Sequence, residues 1–227
     1  MREIKSVSII MPVYNEEENI ADSIFNLNFP WIREIIVVDD GSEDNTSEIA
    51  SKFPVKLITL NKNRGKGEAV SIGYDIAGGD LIALLDGDLG KSIKETKKLV
   101  EPFFENSEID CTIGVMDIKG GGLGIVRFFS VNGLKLFTGR TLNAPLSGQR
   151  VFKRDVFKKL LPLSSGFGLE MGLNFSLIKN DFNIKEIKCA FSHDVTGLSF
   201  TDINHRFSQL IDIGRVFWKR GMIAEKY

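Results

Sequence analysis

The chain has 227 residues, 43% of them apolar and 26% charged, with a formal net charge of −1. That is enough chain for one sizeable α/β core, and the near-neutral balance supplies no global field for nucleic acid. Cys111 and Cys189 are the two cysteines and lie far apart without metal-type spacing. Buried thiols in a reducing compartment are therefore expected, not a disulfide framework. Residues 1–5 lead straight into an apolar run with no signal-peptide pattern, and no stretch approaches the ~20 apolar residues of a membrane span. The expectation is a cytoplasmic protein whose contact with a membrane, if it has one, is peripheral and at the inner face.

Val7 to Met11 reads as a first buried strand, stopped by Pro12. Asn15 is placed to cap a helix whose positive end carries Glu16, Glu17 and Glu18, with Ile20, Ile24 and Leu27 on its buried face. Glu34 to Val38 is a second strand, ending in the acidic turn Asp39-Asp40-Gly41-Ser42. Asp44-Asn45-Thr46 can cap the next helix, which ends before Pro54, and Val55 to Leu60 is a third strand. A basic, glycine-bearing loop covers Asn61 to Gly67, and a helix covers Glu68 to Ala77. Asp80 to Leu85 then forms an apolar run bounded by Gly78-Gly79 and Asp86-Gly87-Asp88, which reads as a fully buried strand. Strand and helix alternate four times, which predicts a mostly parallel, doubly wound sheet flanked by helices. No Gly-x-Gly-x-x-Gly follows the first strand, which argues against a dinucleotide fold.

Beyond Asp88 the period loosens. Lys91 to Phe104 reads as a helix, Asp110 to Val115 as a strand, Gly120 to Gly124 as a flexible loop and Ile125 to Leu136 as a helix leading into Thr138-Gly139-Arg140. Leu146 to Phe152 reads as a strand. Ser165 to Glu170 is a glycine-hinged turn into a helix reaching about Asn180, and Ile184 to Cys189 is a further strand before Ser192-His193-Asp194. From about Asp202 the pattern is helical. No repeat or low-complexity linker divides the chain, so a single domain over 1–227 is expected.

The chemistry-bearing residues gather at predicted strand exits, where an open α/β sheet binds its ligands. Asp86 and Asp88, separated by one glycine, can aim two hard oxygen ligands at a Mg²⁺ or Mn²⁺ beside a diphosphate, or can simply form an Asp-Gly turn. Pro12, Tyr14 and Glu16 leave the first strand and Asp40 the second. A ring and nearby carboxylates suit a pyrimidine base, through stacking and an accepted imide N–H, against the alternative of plain turn and capping chemistry. Arg64, Lys66 and the glycines around them offer cations and backbone N–H groups to phosphate without a Walker pattern. His193 offers an imidazole as a third metal ligand or serves structure alone. Glu170, opening a helix, can orient an acceptor hydroxyl, act as base, or complement the helix dipole.

In order and spacing, Met11-Pro12-Val13-Tyr14-Asn15-Glu16, Val37 to Asp44, Asn63-Arg64-Gly65-Lys66-Gly67 and Asp86-Gly87-Asp88 resemble the family 2 nucleotide-sugar glycosyltransferases of GT-A fold. Thr138-Gly139-Arg140, Pro145-Leu146-Ser147-Gly148, Gly166 to Gly172 and His193 are similar to the glucosyl-3-phosphoglycerate synthase group. The resemblance implies a GT-A domain with a nucleotide-sugar-binding half over 1–90 and an acceptor-binding half over 91–227. It implies a UDP-sugar donor, most simply UDP-glucose, on Pro12, Tyr14, Glu16, Asp40, Arg64, Lys66, Asp86 and Gly87. It puts Mg²⁺ or Mn²⁺ on Asp86, Asp88 and His193, makes Glu170 and Asp88 the catalytic pair, and sets an anionic acceptor such as 3-phosphoglycerate on Gly139, Arg140 and Thr141. The chain is shorter than that group and has Asp40 where the group often has serine, so acceptor and stereochemistry stay open, as does a homodimer. The alternative acceptor is a polyprenyl phosphate. Phe207, Leu210, Ile211, Phe217 and Trp218 beside Arg206, Arg215, Lys219 and Arg220 would then form an interfacial helix instead of packing on the core. A nucleotidyltransferase is disfavoured, because Pro12 to Glu16 stands where its glycine-rich, arginine-bearing signature belongs.

Overall fold

The structure is a computed structural model, and it describes residues 6–116, 124–163 and 168–192. Strand β1 (Val7–Val13) leads through α1 (Ile20–Phe25) to β2 (Ile32–Asp39), then α2 (Thr46–Ser51), β3 (Lys56–Thr59), α3 (Lys66–Ile76) and β4 (Leu81–Leu84). A 3₁₀ stretch (Gly87–Glu95) runs into α4 (Thr96–Glu105). Then come β5 (Cys111–Met116), α5 (Gly124–Thr138), β6 (Arg150–Lys153), α6 (Arg154–Leu160), α7 (Gly168–Lys179) and β7 (Ile184–Cys189).

The strands form one sheet in the order β3-β2-β1-β4-β6-β5-β7. The first four are parallel, β6 runs antiparallel to β4 and β5, and β7 is parallel to β5. Because side chains alternate across a strand, neighbours in sequence feed opposite cores. Ile10, Ile36, Val38, Ile82 and Leu84 meet Val70 and Tyr74 of α3, Phe157 of α6 and Leu177 of α7 on one face. Ile9, Met11, Val37, Leu81 and Ala83 meet Ile20 and Ile24 of α1 and Leu99, Val100 and Phe103 of α4 on the other. Strands covered on both faces must be apolar throughout, which is why these segments read as continuous runs. Both cysteines are free and buried. Burial pushes the Cys111 thiol up to about 12 and the Cys189 thiol up to about 11, so both behave as small apolar groups at neutral pH.

Several expected boundaries move, each for a local reason. Pro12 does not stop β1, which pairs through Pro12 with Val38 and through Val13 with Asp39. Leu85 donates to the Ile10 carbonyl while Asp40 donates to that of Val13, so Ile10 and Pro12 point their polar groups toward β4. That strand has ended by then, so the missing proline N–H breaks no ladder bond. Asn15 is not a helix cap. It sits in the left-handed region at φ 54°, accepting from the Glu43 amide on its side-chain oxygen and donating its own amide to Ser42 Oγ. The expected helix from Lys91 begins only at Thr96, because Gly90 breaks the geometry at φ 47°, ψ −132°. Residues 146–149 are loop, and the strand starts at Arg150. Helix α6 was not anticipated. The expected loop over Gly120 to Leu123, the Ser165 to Phe167 part of the glycine-hinged turn, His193 and the helical pattern from Asp202 lie outside the described residues.

At the amino-terminal edge of the sheet, Glu34 ties three segments together. Its carboxylate accepts from Ser8 Oγ at 2.6 Å and the Gly78 amide at 2.7 Å, and pairs with Lys56 Nζ at 2.6 Å. Burial acts to raise its carboxyl, but the Lys56, Ser8 and Gly78 donors outweigh it and hold the group below the ordinary value. A carboxylate depressed on folding stabilises above its unfolded pKa, and that stabilisation fades as pH falls through the folded one. Glu34→Gln is expected to lower unfolding free energy by about 2 kcal/mol at pH 7. The difference should shrink below about pH 4.5, as read by urea titrations at several pH values.

Candidate active site

The turns that leave β1 and β2 are zipped together side by side. Besides the Asn15 bonds, the Glu16 amide donates to Thr46 Oγ1 at 2.8 Å and the Glu17 amide to Asp44 Oδ2 at 3.2 Å. Glu17 in return accepts from the Asn45 amide and side chain, so it caps α2 and not its own helix. The buried Asp39 accepts from the Ser42 amide and from Ser47 Oγ. Pro12 is half-buried here, Tyr14 is 42% exposed and Glu16 is half-buried.

Asp40 lies at the join to the basic loop. It is 4% exposed, and its two oxygens accept from the Arg64 and Gly65 amides at 2.7 Å each. Its role within the described fold is therefore to clamp the loop that opens α3. Gly41 must be glycine for this approach: its φ is +80°, and a Cβ there would lie 2.7 Å from the Lys62 carbonyl carbon. The Arg64 guanidinium points along α3, 3.9 Å from Glu68. The neighbouring cation points elsewhere.

Lys66 Nζ sits 2.7 Å from Asp86 Oδ1 and 3.1 Å from Glu170 Oε1, with the three side chains 32%, 25% and 13% exposed. Burial alone would lower the lysine's pKa, but the two carboxylates outweigh it and hold the ammonium above its ordinary value. Asp86 is fixed from the other side by Gln149, whose Nε2 donates to Oδ2 at 2.6 Å while its Oε1 accepts the Asp86 amide at 3.1 Å. The turn beyond is anchored by buried Ser23, which donates to the Gly87 carbonyl and accepts from the Gly90 amide. A Cβ on Gly87 would fall 2.7 Å from Val13 Cγ1 and 3.5 Å from Glu16 Cγ. The Asp-Gly-Asp turn thus lies against the β1 exit, with Glu16 alongside. Glu170 comes from the first turn of α7.

Gly148 completes the cradle: a Cβ there would be 2.6 Å from Asp86 Oδ2 and 2.8 Å from Lys66 Nζ. Its loop is held by Arg150, fully buried, which donates to the Ser147 and Pro145 carbonyls and to Asn174 Oδ1 at 2.6 Å. Burial pulls the Arg150 guanidinium below its ordinary value, while nearby negative charges, Glu170 among them, pull the other way. Gln149, Arg150 and Asn174 are all fully buried, and sequence reasoning gave none of them a role. For Asn174 the available signal was a polar residue between Leu173 and Phe175, and Gln149 and Arg150 had no such signal.

The structure brings Glu16, Lys66, Asp86, Gly87 and Glu170 together. It does not bring in the residues assigned to the acceptor. Arg140 pairs with Asp181 at 2.9 Å, just beyond the far end of α7 from Glu170. A helix of those 12 residues is about 18 Å long. Gly139 and Thr141 flank Arg140 there, with Gly139 at φ 71°. The exposed ion pair to Asp181 sets that loop beside the opposite end of the helix from Glu170. Among the described residues no three His, Cys, Asp or Glu side chains are grouped to hold a metal, and His193 lies outside them. Asp86 and Asp88 have the hard carboxylate oxygens that suit Mg²⁺ or Mn²⁺, and Asp86 lies in a cradle that glycine at 148 keeps clear.

A doubly wound sheet with an antiparallel strand inserted beside β4, and acidic turns at its carboxyl edge, is a GT-A type of domain. The chain belongs to glycosyl transferase family 2, whose model matches residues 8–161. It is 31% identical over 209 residues to a dolichol-phosphate mannosyltransferase of Pyrococcus furiosus, covering 83% of this chain and 56% of that protein. It is 38% identical over 121 residues to an undecaprenyl-phosphate 4-deoxy-4-formamido-L-arabinose transferase of Yersinia pestis, covering 48% of this chain and 37% of that one. The chain thus spans about half or less of these relatives' lengths. In fold it is similar to glucosyl-3-phosphoglycerate synthase of Mycobacterium tuberculosis in complex with Mg²⁺ and UDP, with a TM-score of 0.81 at 22% identity over 95% of this chain and 79% of that one. It is similarly related to mannosyl-3-phosphoglycerate synthase of Rubrobacter xylanophilus, with a TM-score of 0.79 at 21% identity over 95% and 75%.

The Asp40 clamp has a direct consequence. Asp40→Ala removes the acceptor for two amides, each bond to a carboxylate contributing about 1.5–3 kcal/mol. The Arg64 and Gly65 amides are expected to exchange with deuterium at least about tenfold faster, while amides of β1 keep their protection. Unchanged exchange at 64 and 65 would show that the loop does not depend on Asp40.

Proposed function

We propose that this domain transfers a hexosyl group from a nucleoside diphosphate sugar, most simply UDP-glucose, to an acceptor that carries an anionic group. The single observation that carries the reading is the Lys66 ammonium held between Asp86 and Glu170 at the carboxyl edge of β4. Tyr14 and Glu16 flank the space where the base and ribose of a donor would lie, and the loop clamped by Asp40 presents its glycine-bearing backbone to the diphosphate. Asp86 and Asp88 would hold Mg²⁺ or Mn²⁺, with His193 as a further ligand, and the bound ion supplies charge stabilisation for the departing diphosphate. Lys66 adds a preorganised cation on the same side, where negative charge grows as the glycosidic bond breaks. Glu170, at the opening of α7, receives the acceptor. In an inverting transfer it takes the hydroxyl proton. In a retaining transfer the leaving phosphate takes that proton and Glu170 positions the acceptor.

A small acceptor such as 3-phosphoglycerate is the first reading, supported by the likeness of the second-half motifs to the phosphoglycerate group. A polyprenyl phosphate is the second, favoured by the 31% identity to the dolichol-phosphate mannosyltransferase over 83% of the chain. No helix among the described residues is long and apolar enough to cross a membrane.

Transfer assays with Mn²⁺ or Mg²⁺, offering UDP-glucose, GDP-mannose and UDP-N-acetylglucosamine against 3-phosphoglycerate and a short polyprenyl phosphate, separate these acceptors. NMR of the product anomer assigns the part played by Glu170. Asp88→Ala is expected to lower transfer by on the order of a hundredfold or more, with the melting temperature within about 4 °C of the parent chain. An Asp88→Ala chain that transfers at the parent rate without added metal would overturn the metal assignment.

A further inference from the structure

Gln149 holds Asp86 in a two-point grip. A side-chain amide donates and accepts in one plane, and here it does both to one residue: Nε2 to Oδ2, and Oε1 from the backbone amide. With Oδ2 occupied in this way and Oδ1 on Lys66, the Asp86 carboxylate has its rotation fixed. Gln149 is in turn fixed by its surroundings. Its side chain is fully buried, its carbonyl accepts from the Gly114 amide of β5 at 2.9 Å and its amide donates to Ser147 Oγ at 3.3 Å. The next residue is Arg150, which locks residues 145–147 to Asn174 of α7.

We infer that Gln149 is a positioning residue that sets the direction of the Asp86 carboxylate toward a bound divalent cation. This inference rests on the reading of Asp86 given under the proposed function. A carboxylate beside a metal acts through direction as well as charge, and outer partners that set this direction affect affinity strongly. Substitutions for Gln149 fail in different ways. Glutamate would face Asp86 with like charge and no donor, asparagine is one carbon too short for both contacts, and an apolar chain leaves a carboxylate oxygen and a backbone N–H unmet. Position 149 is also the last residue before β6, where the strand's register against Leu84 and Ile113 fixes the height of the side chain over the Asp-Gly-Asp turn. One route from the buried Arg150–Asn174 network to the catalytic edge therefore runs through a single amide.

Gln149→Met keeps the length of the side chain and removes both contacts. In the full chain with UDP present, manganese EPR is expected to show Mn²⁺ binding weakened by about tenfold. In transfer assays kcat should fall further than the donor KM rises. In the unsubstituted chain, the Gln149 side-chain amide resonances are expected to shift on titration with Mg²⁺ and UDP. That measurement stands even if the variant fails to fold. A variant that loses thermal stability while its Mn²⁺ titration and kcat match the parent would overturn the inference, as would Gln149 resonances that ignore Mg²⁺ and UDP. If the parent chain itself binds no Mn²⁺ in the presence of UDP, the reading of Asp86 fails first and takes this inference with it, so the two failures are told apart.

Discussion

The arrangement at the carboxyl edge depends on one cation between two anions. Lys66 and Asp86 come from the parallel half of the chain and Glu170 from 104 residues beyond the lysine, so the pair of contacts joins the first half of the fold to α7. Two effects compete there. Taking an ammonium out of water is costly, while two carboxylates within about 3 Å repay it. The upward displacement of the lysine's pKa says that attraction wins. The side chain is still a third exposed, so screening keeps the net gain modest. The contact therefore serves geometry more than stability. It keeps a permanent positive charge in place, and it prevents two carboxylates from facing one another without a counter-ion.

That cation is supported from two directions by bonds of different kinds. On the parallel side, the β1 and β2 exits exchange side-chain-to-backbone bonds, and Asp40 pulls the next loop over them. Each of these bonds is partly solvated and worth about 1 kcal/mol, but they are cooperative because each turn caps or clamps its neighbour. On the antiparallel side, the support is a buried polar chain from Asn174 through Arg150 to the 145–149 loop. A buried guanidinium is tolerable only when its donors are met, and the Ser147, Pro145 and Asn174 oxygens meet them. The antiparallel insertion of β6 beside β4 is what lets these two supports converge. It delivers residues 148 and 149 onto the end of β4, where a parallel strand would have delivered a crossover instead.

Much of this was legible in the residues. The apolar runs at 7–11, 35–38 and 81–85 read as strands covered on both faces, and β1, β2 and β4 occupy them. Lys66 and Glu170, both singled out from local pattern, are brought into contact by the fold. The errors share a cause, since local chemistry was read without its neighbours. Asn15 has the composition of a helix cap, yet it is held by Ser42 and Glu43 from another turn. Pro12 looks like a terminator, but its missing N–H faces a place where β4 has already ended. Gln149 was invisible for the opposite reason. An amide between a glycine and an arginine has no local signature, and its meaning appears only once β6 is paired with β4.

The division of labour between the two supports bears on how such a domain changes partners. The carboxyl edge is over-determined: Gly41, Gly87 and Gly148 each have backbone or side-chain atoms where a Cβ would go, so most substitutions there disturb several bonds at once. The loop proposed for the acceptor has more latitude. Between Gly139 and Ala144 the chain is tied by exposed contacts, Arg140 to Asp181 and Asn143 and Ala144 to Glu186, which contribute little individually and can be exchanged without disturbing the Lys66 cluster. On the proposed function, a fixed donor edge joined to an adjustable acceptor loop lets one scaffold hand a sugar to a small anion or to a lipid phosphate. The anchor common to both is the rigid β6 register that keeps residues 148 and 149 over Asp86.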